Sequence, residues 1–437
     1  MQTSKLLEIL SNYNRFWNKE DIDSGIERDI LEDVLRQVES KEIIVLKGVR
    51  RSGKSTIMAQ IIKYLLDSDI LATQILRVNF EEPLFSPEYS LDLLEYIYNV
   101  YREHIQADKK CFLFLDEIQN IPEWERWVRG RSETENLKIF VTGSSSQMLS
   151  REIGTKLTGR HISFEIFPLS FKEFLRFKNI WVQNKFEYLN QKHLIRKMFI
   201  DYMAYGGFPE VVLKKQDIDK KLLLKNYFED IVYRDIAARY QIRDTTNLVN
   251  IAVYLLTNMA NMTSINKLKK NFSISQDKTE NYVSAILESY LIFQLKKFSF
   301  SLKTTQRSGF KSYAIDTGLR NRIAFSFSED KGRLVENLIF CHLKHFYEEF
   351  FFHSNGGEID FIVKEGVNIT KYIQVWYDDP GVNRIPDREL KNFKNVMDDS
   401  SKNEYVLITN DYEEKLTMGS LQIKCIPAVR YLLFNQA

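Results

Sequence analysis

The sequence predicts an α/β protein that begins with a parallel sheet and ends in a second, smaller α/β region, with mostly helical segments between them. Three observations carry that expectation. Continuously apolar runs recur at Glu42–Leu46 (EIIVL), Cys111–Leu115 (CFLFL) and Lys138–Val141 (KIFV), and strands without polar alternation belong to parallel sheets covered on both faces. Directly after the first run and a Gly-rich stretch, Thr56–Leu66 (TIMAQIIKYLL) is apolar at helical spacing, so strand, loop and helix follow in order. Beyond residue 191 the texture turns helical, and strand-like runs return near residue 293 and again after residue 357.

Composition narrows the classes. With 437 residues, 44% hydrophobic and 27% charged, the chain has the profile of a folded protein of two or three domains rather than a disordered one. Lys and Arg number 61 against 59 Asp and Glu, so any attraction to nucleic acid or acidic ligands must be local. The cysteines, Cys111, Cys341 and Cys425, are far apart and form no Cys/His cluster at zinc spacing. A reducing, cytoplasmic setting is expected. Met1–Glu20 lacks a signal-type apolar core, and no 18-residue apolar run occurs, so no membrane span is expected.

The loop after the first strand reads Gly48-Val49-Arg50-Arg51-Ser52-Gly53-Lys54-Ser55, followed by Thr56, and matches the G-x-x-x-x-G-K-[ST] pattern without a gap. In such a P-loop the glycines let main-chain N–H groups turn inward around phosphates, and the helix N-terminus adds its positive end. ATP is therefore expected on residues 48 to 56, with Lys54 reaching the β- and γ-phosphates and Ser55 holding Mg²⁺.

The second buried run ends in Asp116-Glu117, which places two acids at the carboxyl edge of the sheet, where ligands of open α/β sheets sit. Asp116 is the expected Mg²⁺ acid and Glu117 the acid that activates water, an arrangement that favours hydrolysis over transfer to a second acceptor. Without a P-loop the pair would read as a solvated acidic turn. The third run leads into Thr142-Gly143-Ser144-Ser145-Ser146, where Thr142 or Ser144 is a candidate γ-phosphate sensor and a plain serine-rich turn the alternative. Leu157-Thr158-Gly159-Arg160 sets an arginine beside a glycine, and Arg160 is a candidate charge-stabilising finger for its own or a neighbouring subunit's nucleotide; the second case would make the protein a homo-oligomer.

Together GVRRSGKST, LFLDEIQNIPEWERWVR, IFVTGSSSQML, LTGRHISFEIFPLSFKEFL and YGGFPEVV resemble the prokaryotic AAA+-type P-loop ATPases that carry a C-terminal domain of unknown function. The resemblance spans nearly the whole chain. It implies an AAA+-like core with five parallel strands that binds ATP and Mg²⁺, and it assigns no substrate.

Four domains are expected: the ATPase core over residues 1–170, a helical lid over 171–245, a winged helix over 246–325 and a restriction-endonuclease-like α/β domain over 326–437. In the lid, Lys225–Tyr240 is expected as one helix whose Arg234 either reaches the nucleotide or pairs with Asp230. Three helices and a hairpin over Asn247–Asp316 describe the winged helix. Between Asn261 and Lys311, nine basic residues (Lys267, Lys269, Lys270, Lys278, Lys296, Lys297, Lys303, Arg307, Lys311) face three acidic ones, Asp277, Glu280 and Glu288. Double-stranded DNA is therefore one candidate partner, and protein packing of the same module is the other.

In the last segment, helix acid Glu336, strand acid Asp360 and the next strand's Gln374 and Trp376 stand where a nuclease of this shape has two acids, a Glu and a Lys. A neutral Gln is a poor ligand for a hard cation, and Trp has no proton to exchange with water. The domain reads as nuclease-shaped and inactive. The functional expectation is an Mg²⁺-dependent ATP hydrolase acting as a machine or switch, on DNA or on a protein partner, with an ATP-gated nuclease as the third reading.

Overall fold

The computed structural model describes the whole chain except residues 107, 144–156, 158, 300–307, 326–330, 355–356, 378–384, 397–402 and 436–437. The chain divides into two compact units, Met1–Phe167 and Pro168–Ala437. No described helix is long and apolar enough to cross a membrane.

The first unit is built on five parallel strands, β1 (Ile43–Lys47), β2 (Ile75–Asn79), β3 (Cys111–Asp116), β4 (Leu137–Gly143) and β5 (His161–Glu165), in the order β2-β3-β4-β1-β5. The three apolar runs are β1, β3 and β4. Successive side chains of a strand point to opposite faces, and both faces are covered. Ile43, Val45, Leu113, Leu115, Ile139 and Val141 pack with Leu94 and Ile97 of the helix Leu91–His104. Ile44, Leu46, Phe112, Phe114 and Phe140 pack with Ile57 and Ile61 of the helix Lys54–Asp67. The rings of Phe114 and Phe140 stack at 4.5 Å between centroids. Each such buried side chain stabilises the fold by about 1.5–3 kcal/mol. The helix after the P-loop begins two residues earlier than its apolar spacing suggests, because Gly53 at φ +100° caps it and Lys54 and Ser55 form its first turn.

The second unit opens with the helix Phe171–Phe177. Here the S-x-x-E inside PLSFKEF is a capping box: Glu173 N donates to Ser170 Oγ and Ser170 N donates to the Glu173 carboxylate. In YGGFPE, Gly206 closes the helix Lys192–Tyr205 at φ +73°, where a Cβ would lie 2.1 Å from the Asp316 carboxylate. Gly207 N donates to that carboxylate at 2.6 Å. The motif is thus a docking corner for Asp316.

The single helix expected over Lys225–Tyr240 changes winding: α-helix Asp217–Glu229 passes into a π-helix over Asp230–Ala238. Buried pairs five residues apart, Ile231 with Ile236 and Val232 with Ala237, explain the change, since i→i+5 winding brings them to one side. Arg234 points out and pairs with Asp230 at 3.4 Å.

Helices Thr245–Thr257, Ile265–Phe272 and Gln276–Glu288 follow, N-capped by Asp244, Ser264 and Ser275. With them comes an antiparallel sheet of β6 (Met262–Thr263), β7 (Ile292–Lys296) and β8 (Phe310–Ala314), ordered β6-β8-β7. After the helix Lys331–Phe346, a six-stranded sheet runs β13-β14-β12-β11-β10-β9, comprising β9 (Glu349–His353), β10 (Ile359–Glu365), β11 (Asn368–Val375), β12 (Glu404–Thr409), β13 (Glu414–Met418) and β14 (Leu421–Pro427). The central strands β11, β12 and β14 are parallel and the outer pairings antiparallel.

Candidate functional site

Parallel pairing sets the register of the first unit's ligand edge. Leu46 of β1 is level with Thr142 of β4, and Val141 is level with Leu115 of β3. The loop Gly48–Ser55, the acids Asp116 and Glu117, and Thr142 therefore leave the sheet at one carboxyl edge.

The loop turns tightly at Gly48, where a Cβ would sit 2.1 Å from Ile166 O. Lys54 is 4% exposed and donates to Gly48 O and Val49 O, both at 3.1 Å. Ser55 and Thr56 are exposed at the helix start, whereas Ser52 Oγ is buried with no hydrogen-bond partner. Arg50 pairs with Glu81 at 2.9 Å, and Arg51 holds a left-handed φ of 68°. The buried guanidinium of Arg28 donates to Ser52 O at 2.8 Å and Phe167 O at 2.9 Å, so a residue far upstream ties the loop down.

Across the edge, Asp116 is 1% exposed and accepts from the Thr142 hydroxyl at 2.5 Å and from Arg77 at 3.4 Å. Glu117 turns out of the strand at φ 52°, its N–H donates to Thr142 Oγ1 at 2.9 Å, and Gln119 donates to its carboxylate. Burial pushes the Glu117 carboxyl up, and Lys54 nearby pulls it back toward ionisation. One hydroxyl thus holds both acids. Thr142, a candidate γ-phosphate sensor, has no exposed surface, gives its proton to Asp116 and accepts from the Glu117 N–H. Ser144, the alternative sensor, lies outside the described residues. Sequence pattern did not mark Arg28, Arg77 or Gln119, since each acts through a contact that spacing does not encode.

The donor set suits a magnesium triphosphate: main-chain amides, one ammonium, an orphaned serine hydroxyl, and the hard oxygens of Ser55 and Asp116. Residues 40–175 match the family model of an AAA domain, and residues 196–330 match that of a Domain of unknown function (DUF8612). The chain is 35% identical over 408 residues to Uncharacterized protein MJ1544 of Methanocaldococcus jannaschii, covering 90% of this chain and 88% of that one. It belongs to that protein's family.

An uncharacterized protein of Haemophilus influenzae is 28% identical over 401 residues, 90% of this chain and 95% of its own. Among solved structures, the Aeropyrum pernix Orc1 protein in complex with DNA aligns over 71% of this chain and 95% of its own, at 10% identity and a TM-score of 0.33, an agreement too loose to bear on function. The first unit carries nearly all of the residues that match the AAA-domain model and is built on the parallel sheet described above, with the P-loop at its carboxyl edge.

Within this AAA domain, Arg160 falls elsewhere than expected. It precedes β5, its carbonyl accepts from Ile43 N at the start of β1, and its exposed side chain pairs with Glu133. That is the amino edge of the sheet. Strand direction therefore sets Arg160 at the edge opposite the P-loop. Thr158 beside it lies outside the described residues.

The second unit holds another charged cluster. Lys311 of β8, counted above among DNA-facing cations, is 2% exposed. Its Nζ lies 3.2 Å from Glu336, 2.7 Å from Glu358 and 3.2 Å from Asp360. Tyr313 donates to Glu336 at 2.6 Å. Burial, with Asp360 beside it, pushes the Glu336 carboxyl up, and Lys311 and Tyr313 pull it back toward ionisation. Gln374 accepts from Asp360 N at 3.2 Å and donates to Glu389 at 3.0 Å, while Asp360 Oδ2 accepts from Val375 N at 3.0 Å. Glu336, Asp360 and Gln374 do come together; Trp376 instead joins the apolar core with Phe393 and Tyr405. Lys303 and Arg307 lie outside the described residues, which leaves Lys267, Lys269, Lys270 and Lys296 as exposed cations of this segment.

Proposed function

We propose that this protein is an Mg²⁺-dependent ATP hydrolase that works as a machine or switch, with its AAA domain as motor and the second unit as output. The observation that carries the reading is the shared edge on which P-loop, Asp116 and Glu117 emerge, with Thr142 tying the two acids together. The amides of Gly48 to Thr56 and the Lys54 ammonium cradle the phosphates, Lys54 exchanging its two carbonyl partners for phosphate oxygens. Ser55 and Asp116 would hold magnesium, which neutralises charge on the β- and γ-phosphoryl oxygens. Glu117 orients and deprotonates the attacking water. A carboxyl raised by burial is the better base near neutrality, and releasing Gln119 frees it for that task. Arg160, exposed at the far edge, serves only a neighbouring subunit's nucleotide if the protein assembles.

For the output, exposed Lys267, Lys269 and Lys270 on one short helix of the winged-helix segment support double-stranded DNA as partner. A protein partner is supported by a different observation: Trp181, Phe186, Leu189, Ile200, Ile218 and Leu222 each expose more than half their surface. Measuring ATP turnover with and without duplex DNA, and DNA affinity at two salt concentrations, separates them. A DNA machine shows about tenfold stimulation and an affinity that falls steeply with salt; unchanged turnover and no salt-sensitive binding leave the protein-partner switch.

A further inference from the structure

In the second unit three acids from two elements converge on one buried ammonium. Glu336 comes from the helix Lys331–Phe346, Asp360 from β10 and Glu358 from the segment just before it, while Lys311 enters from β8 of the other sheet. The oxygens stand 2.7–3.2 Å from Lys311 Nζ. These are ammonium distances; magnesium demands oxygens at about 2.0–2.1 Å and calcium at about 2.3–2.6 Å. Consistent with that spacing, among the described residues no group of three or more His, Cys, Asp or Glu is arranged to hold a metal ion. Lys311 is 2% exposed and Asp360 5%, so these two charges have left water and each depends on the other. Gln374, the remaining polar group at Asp360, spends its carbonyl on Asp360 N and its amide on Glu389, and offers the cluster no further negative charge.

We propose that the Lys311 ammonium stands where a divalent cation would otherwise sit, so that this cluster is a lysine-filled, metal-refusing site that clamps β8 to β10 and the helix carrying Glu336. The inference rests on the geometry of this cluster and is independent of the ATPase reading. Without the lysine, the enclosed Glu336 and Asp360 would stand beside the more exposed Glu358 with no cation among them, and a divalent cation is the simplest occupant to offset that charge. Removing the ammonium while keeping the aliphatic stem should therefore create a metal site where the native protein has none.

The test uses the full-length chain, without nucleotide, titrated with Mn²⁺ and followed by electron paramagnetic resonance of the free ion and by thermal unfolding. The wild-type and Asp360→Asn proteins should bind Mn²⁺ equally. Lys311→Met should melt lower than wild type without metal, bind one additional Mn²⁺ per chain, regain several degrees of Tm in millimolar Mn²⁺, and lose that site again when Asp360→Asn is added. A folded Lys311→Met protein that takes up no additional Mn²⁺ overturns the proposal. So does wild-type Mn²⁺ binding that Asp360→Asn abolishes, a comparison that decides the matter even if Lys311→Met does not fold. Mn²⁺-dependent cutting of plasmid DNA by the wild type, lost in Lys311→Met, would make the lysine a catalytic group and equally overturn it.

Discussion

Each unit holds a buried lysine among acids, yet the two lysines are employed differently. Lys54 donates to two main-chain carbonyls of its own loop, and the acids across the edge accept from Thr142, Arg77 and Gln119. Lys311 is bonded to three carboxylates at once. Neutral carbonyls are weak partners that an anionic phosphate displaces readily, whereas carboxylates in low dielectric hold an ammonium against any incoming ligand. The same residue type is thus poised in one unit and saturated in the other. Which of these it becomes depends on the charge of its partners, not on its burial.

Removing the poised ammonium should have the largest effect. Lys54→Ala is expected to weaken ATP binding about tenfold or more, because a charge-assisted contact to phosphate is lost. Its thermal stability without ATP should fall less than that of Lys311→Met, since the Gly48 and Val49 carbonyls that Lys54 donates to can be served by water. Equilibrium binding of labelled ATP and a melting curve check both halves, and a large loss of stability would break the contrast with Lys311.

Next in size is the hydroxyl that both acids share. Thr142→Val leaves Glu117 N–H buried without its acceptor and Asp116 Oδ1 without its hydroxyl donor, a cost of about 1–3 kcal/mol. Denaturant unfolding of the variant measures it, and ATP turnover should fall with it.

A smaller effect is set by pH. Burial pushes His342 down to about 4, while its Nε2 bonds to Asn435 O. A histidine whose folded pKa lies below the unfolded value near 6.5 contributes stability above that value and loses it as pH falls toward 4. Between pH 7 and 5.5 that loss amounts to about 1 kcal/mol. His342→Gln should flatten this part of the unfolding profile, and an unchanged slope would place the acid sensitivity elsewhere.

The smallest effect is expected at Arg234, whose exposed pairing with Asp230 is worth no more than about 0.5 kcal/mol. Arg234→Ala should leave both melting temperature and ATP turnover as they are. A drop in turnover alone would bring this arginine into the nucleotide site.

What was legible in the sequence follows the same physics. β1, β3 and β4 announce themselves because burial on both faces forces continuous apolar runs, and the P-loop because its spacing is dictated by main-chain geometry. β2 was not legible: Arg77 and Asn79 interrupt it, one bonded to Asp116 and the other paired in register with it. The edge strand β5, half-buried throughout, lacks an apolar run. The π-helix was hidden because its five-residue spacing reads as helix until burial is known. Within the candidate site, the placement of Lys54, Asp116 and Glu117 at one sheet edge was readable from local motif; the bonds of Thr142 were not, because its partners Asp116 and Glu117 lie at and just beyond the end of another strand. Lys311 was misread for the same reason. A charge count treats every lysine as solvated, and only the fold shows which one is enclosed by acids.

The most direct trial of the central claim is a single measurement on Glu117→Gln: mix it with labelled ATP and Mg²⁺, then follow bound nucleotide and released phosphate together. ATP should be held at an affinity close to wild type, with phosphate release slowed about 100-fold or more, since the base is gone and the cradle intact. Phosphate release at the wild-type rate, or failure of either protein to hold ATP with Mg²⁺ present, would contradict the account.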